Sequence, residues 1–91
     1  MSLKIKQSTK FKRDMKRILS RGYDYKLLRA IVNALANQQP LPPENRDHAL
    51  AGNWAGYREC HIQSDWLLIY RVNDQNLDLL LMRTGTHTDL F

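Results

Sequence analysis

The run Trp66-Leu67-Leu68-Ile69-Tyr70-Arg71-Val72 most constrains how this chain folds. Trp66, Leu68, Tyr70 and Val72 alternate with Leu67, Ile69 and Arg71, so a strand here is apolar on both faces. Such a strand belongs at the centre of a sheet, with helices lining one side. Its neighbours follow from the same period. Tyr57, Glu59 and His61 share one face of a preceding strand, and Arg58, Cys60 and Ile62 share the other. Gln63-Ser64-Asp65 is short enough to close a hairpin. Asn73 to Asn76 make a second turn, and Leu77 to Arg83 complete a meander that Gly85 breaks, leaving Thr86 to Phe91 as a tail.

The first half supplies the cover. Leu3 and Ile5, alternating with Lys4 and Lys6, predict a short strand with one face to the core. Ser8 or Thr9 caps a helix bearing Phe11, Met15, Ile18 and Leu19, closed by Gly22. Asp24 caps a second helix whose stripe is Leu27, Leu28, Ile31, Val32 and Leu35, and Pro40, Pro42 and Pro43 stop it. Residues 40–53 read as a loop. The order is β-α-α-β-β-β, an α+β domain with a helical hairpin on a small, mostly antiparallel sheet. With 91 residues there is room for one domain, residues 1–91.

Charge is distributed unevenly. Residues 1–29 carry ten of the fourteen Lys and Arg against Asp14 and Asp24 alone, whereas the remainder is net acidic. A basic segment beside an acidic body suits a polyanion or an acidic partner. The single cysteine, Cys60, excludes an internal disulfide and paired-thiolate zinc patterns. No apolar run approaches the roughly 20 residues that cross a bilayer. The expectation is a cytoplasmic protein with no membrane association. His48, His61 and His87 lack the tight spacing of a metal site, so neither metal nor cofactor is expected.

The polar groups that remain fit RNA cleavage. That chemistry needs a base for the ribose 2′-OH, an acid for the leaving 5′-oxygen and a cation for the phosphate. His61, Asp65 and His87 can exchange protons, Arg83 offers a bidentate fork, and Trp66 or Tyr57 could stack on a base. Each has a plainer reading. Arg83 could pair with Asp65, Asp65 could cap its turn, and both aromatics could pack in the sheet. On the residues alone, a non-enzymatic nucleic-acid-binding module stays open.

Four segments carry a resemblance: R-D-H-A-L-A-G (46–52), W-A-G-Y-R (54–58), His61 with Asp65-Trp66, and the closing R-T-G-T-H-T-D-L-F (83–91). Together they resemble the YafQ branch of the RelE/ParE superfamily of type II toxins, over nearly the whole chain. The resemblance implies an endoribonuclease that cuts mRNA in the ribosomal A site. It implies His87 and Asp65 as principal proton-transfer groups, assisted by His48 and His61. Arg83 would neutralise the phosphate, and Trp66 and Phe91 would line the site and position substrate. Lys10, Lys12, Arg13, Lys16 and Arg17 would meet rRNA phosphates. A ribbon-helix-helix-type antitoxin is implied as partner, with operator DNA bound through the complex. A ParE-like gyrase inhibitor is the rival within the superfamily. It has no need of the histidines and Asp65.

Overall fold

The computed structural model describes residues 2–91. The chain forms β1 (Lys4–Gln7), α1 (Thr9–Ser20), α2 (Tyr25–Ala36), β2 (His48–Ala49), β3 (Arg58–Gln63), β4 (Trp66–Asn73), β5 (Asp78–Gly85) and α3 (His87–Leu90). Single 3₁₀ turns at Pro43–Asn45 and Gly52–Trp54 shape the connection from α2 to β3. The sheet order is β1-β5-β4-β3-β2, with β1 parallel to β5 and every other pair antiparallel. This is the expected α+β architecture, that of the RelE-like fold.

Local signals set the helix ends. Ser8 Oγ accepts the Phe11 N–H at 2.9 Å and donates to the Met82 carbonyl at 2.7 Å, so one hydroxyl caps α1 and ties it to β5. Asp24 accepts the Lys26 N–H at 2.9 Å and starts α2. Gly22, at φ +84°, reverses the chain between the helices in a conformation that side chains resist.

Phe11, Ile18, Leu28 and Val32 bury themselves against Cys60, Trp66, Leu68 and Tyr70 on the helix-covered face of the sheet. Each large side chain fully removed from water contributes about 1.5–3 kcal/mol. Leu67 and Ile69 point the other way and are just as buried. No long helix covers that side. Leu90 of α3, with Trp54, Tyr57 and Met82, forms a second, smaller core there. The one-turn α3 is therefore part of the packing that a doubly apolar β4 demands.

Three expectations are corrected. The 40–53 stretch contains a two-residue edge strand, β2, and the tail after Gly85 contains α3. Of the two apolar residues expected in the first strand, only Leu3, which lies just before β1, is buried. Ile5, on the edge strand β1, remains 44% exposed at a cleft that it lines together with Phe11 of α1 and Leu28 of α2. Among the described residues, no helix is long and apolar enough to cross a membrane.

Candidate active site

The turn between β3 and β4 and the start of α3 meet at one end of the sheet, and there the chemistry collects. Asp65 sits in that turn, and one of its oxygens, Oδ1, accepts two hydrogen bonds from His87. The backbone N–H donates at 3.2 Å and the ring Nδ1–H at 2.9 Å. Thr86 caps α3 in a capping box with Asp89, so the backbone that presents His87 is itself fixed. The His61 ring lies 6.1 Å from the His87 ring, centroid to centroid, and Phe91 lies 6.2 Å from it on the other side. His61, Asp65, His87 and Phe91 thus form one cluster. The His87 ring and the Phe91 side are both open to solvent, Phe91 being 60% exposed.

His48 stands one strand further along the same face. It pairs across β2–β3 with Glu59, which is two residues from His61. The Asp47 carboxylate holds the β2 approach by accepting from the Tyr70 hydroxyl and from Arg58 Nε. Asn45 Nδ2 donates to the His61 carbonyl at 2.7 Å. These contacts explain why the loop carrying His48 keeps its place.

All three histidines are held by the same ring atom. His48 Nδ1 meets the Arg46 carbonyl at 2.6 Å and His61 Nδ1 meets the Ser64 carbonyl at 3.1 Å. A carbonyl oxygen only accepts, so the proton resides on Nδ1 in both, as it does in His87 facing a carboxylate. His61 and His87 thus turn Nε2 away from the partners that hold Nδ1, whereas the His48 Nε2 lies 3.6 Å from the buried Glu59 carboxylate. Hydrogen bonds from the His87 ring and backbone lower the Asp65 pKa from its ordinary value, so its carboxylate is ionised at neutral pH. Burial pushes the Cys60 thiol up to about 12, which leaves it inert beneath the site.

Two sequence assignments change. Trp66 is fully buried, donates from Nε1 to Thr84 Oγ1 at 2.9 Å and packs edge-on against Tyr23. It offers no surface on which RNA could lie, and it braces the sheet. Tyr57 is half-buried beneath Trp54 and Arg71, so it is not an open stacking platform either. The exposed aromatic surface is Phe91, supported edge-on by Trp54 at 6.5 Å.

Arg83 is paired with Asp14 of α1 and not with Asp65. Its Nε and one Nη donate to the two Asp14 oxygens at 2.7 and 3.0 Å, and Asp14 is almost entirely buried. A bulge in the β4–β5 pairing, where Met82 is the extra residue, sends Met82 to the second core and Arg83 to α1. Arg83 then joins Lys10, Arg13 and Arg17 around a cleft of about 170 Å³. Lys12 and Lys16 are exposed but do not line it. Asp14 and Trp54 are the participants that the sequence reading passed over. Asp14 looked like a lone acid in a basic helix, and only its i, i+3 spacing to Arg17 hinted at pairing.

Comparison with known proteins places the chain among relatives of the same fold. The family described as bacterial toxin of type II toxin-antitoxin system, YafQ, matches residues 3–91. The mRNA interferase toxin YafQ of Escherichia coli K12 is 40% identical over 88 residues, covering 96% of this chain and 94% of the relative. A metal-bound toxin from Helicobacter pylori is 44% identical with a TM-score of 0.92, over 98% of this chain and 99% of that one. YafQ in the E. coli DinJ-YafQ toxin-antitoxin complex is 38% identical with a TM-score of 0.89, over 100% and 99% respectively.

Proposed function

This chain belongs to the YafQ family of bacterial type II toxins, and from that premise we propose that it is a ribosome-dependent mRNA endoribonuclease. The observation that carries the reading is His87, held by Asp65 and facing His61 with both Nε2 atoms unengaged. In the proposed reaction the neutral His61 Nε2 takes the proton of a ribose 2′-OH. The 2′-oxygen forms a bond to the adjacent phosphorus as the bond to the 5′-oxygen breaks. His87, as imidazolium beside the Asp65 carboxylate, protonates that leaving oxygen. The products are a 2′,3′-cyclic phosphate and a 5′-hydroxyl. The substrate supplies its own nucleophile, so the inertness of Cys60 costs nothing.

Arg83 spends two N–H donors on Asp14 and keeps the others of its fork for the phosphate, where charge accumulates in the transition state. Phe91 offers a face on which a base can stack, and His48 contacts sugar or phosphate further along. The neighbouring cleft of Lys10, Arg13 and Arg17 extends the positive surface toward rRNA. A cognate antitoxin, bound across this basic and catalytic surface, holds the toxin inactive in the cytoplasm. Operator DNA is reached through that complex.

The direct test is chemical. Purified toxin added to ribosomes translating a defined message should leave 2′,3′-cyclic phosphate and 5′-hydroxyl ends at A-site codons. Ends bearing a 5′-phosphate, or intact message in the presence of gyrase inhibition, would reject the reading.

The cleft makes a separate demand. Lys10→Gln with Arg13→Gln removes two exposed charges and no buried contact. Ribosome affinity should fall, and the slope of log K against log salt should shrink by about 1.4–1.8. Lys12→Gln with Lys16→Gln, away from the cleft, should change both less. Equal effects of the two pairs would show that charge matters only in bulk.

A further inference from the structure

A four-residue helix does not hold itself together, because one turn is far below the length at which helices persist alone. Yet α3 carries His87 and Phe91, which the reaction proposed above requires in fixed places. Leu90 anchors one side in the second core. The opposite side is anchored by Asp89, and that carboxylate is unusually engaged.

Arg21, just past the end of α1, donates to Asp89 from both terminal nitrogens, at 2.7 and 3.1 Å. Asp89 Oδ2 also accepts the Thr86 N–H at 3.0 Å, closing the capping box from which His87 projects. Arg17 stands 3.9 Å away. Gly85 permits this approach, because a Cβ there would lie 2.9 Å from the Asp89 Cβ. Asp89 is only 10% exposed, with both oxygens occupied. The Arg21 guanidinium holds its carboxyl well below the usual carboxylate range. A group so placed cannot relay protons.

We propose that Arg21 and Asp89 are positioning residues for the cleavage reaction: their bidentate pair fixes α3 against α1, setting where the His87 ring and Phe91 stand. This rests on the endoribonuclease reading of the same site. The consequence is that the basic helix and the catalytic end of the sheet form one rigid unit through a side-chain pair spanning 68 residues of sequence.

The test is a double-mutant cycle of Arg21→Ala and Asp89→Asn, read in single-turnover cleavage of a programmed ribosome and in amide exchange. Each single variant should lower the cleavage rate at saturating ribosome about tenfold, and the double variant should lose little more than either. Arg21→Lys, which keeps one ion pair, should recover part of the rate. The Leu90 and Phe91 amides, bonded to the Thr86 and His87 carbonyls, should exchange faster in both singles. If Arg21 merely binds rRNA phosphate, Arg21→Ala weakens ribosome binding, leaves the saturated rate and the exchange unchanged, and adds independently to Asp89→Asn. That outcome overturns the proposal. Amide exchange involves no RNA, so a wild type that fails to cut message would sink the endoribonuclease reading and still leave the pair testable.

Discussion

His87→Ala is expected to lower single-turnover cleavage of a ribosome-bound message about 10²- to 10⁴-fold, the range for loss of a positioned acid or base. The fold should be untouched. The ring is more than half exposed, so its removal opens no cavity, and the backbone N–H of residue 87 still reaches Asp65. Melting temperature and ribosome affinity should both stay near wild type, which assigns the loss to chemistry. Asp65→Asn is milder, since an amide oxygen still accepts the Nδ1–H and only the charge facing the imidazolium is lost. The pH profile carries a sign as well. Asp65 has a depressed pKa in the folded protein, so its contribution is present above the ordinary carboxylate pKa and is lost only as pH falls below it. Activity that falls only below the ordinary carboxylate pKa is what loss of the Asp65 charge predicts, and a decline at higher pH does not come from Asp65. Cleavage that survives His87→Ala at wild-type rate would remove the residue from the reaction.

Much of this geometry could be read from the chain because it follows from short-range rules. Ser8 and Asp24 cap the helices they were expected to cap, and the alternation of 57–72 assigns each side chain to its face. A tight β3–β4 turn brings Asp65 beside His61 without any long-range information. Trp66 shows the reverse case. Its alternation with Leu68 and Tyr70 already allowed it a place in the core, and the resemblance drew it toward the substrate instead. What stayed hidden depends on how separate elements dock. Asp14 and Arg83 are 69 residues apart, and their meeting depends on the rotation of α1 and on a bulge at Met82 that no hydrophobic pattern marks. The two-residue β2 and one-turn α3 are too short for a periodicity to register. They exist because an edge and an apolar face needed cover.

Asp14 is where stability and function are joined, and Asp14→Ala is expected to cost about 3 kcal/mol. Three donors lose their acceptor at once: the Nε–H and one Nη–H of Arg83, and the Thr84 N–H, which donates to Asp14 at 3.2 Å beyond the end of β1. Arg83 is only 18% exposed, so its charge cannot be fully rehydrated where it stands. For a domain of this size the melting temperature should fall by about 12–24 °C. Asp14→Asn, which keeps an acceptor oxygen, should fall less. The informative variant is the double, Asp14→Leu with Arg83→Leu. Replacing both partners by apolar groups removes the orphaned charge, and stability should return toward wild type. Cleavage should not return, because no guanidinium then faces the phosphate. Recovery of both would make Arg83 a purely structural residue, while recovery of neither would mean that the Thr84 N–H, not the arginine, sets the cost of losing Asp14.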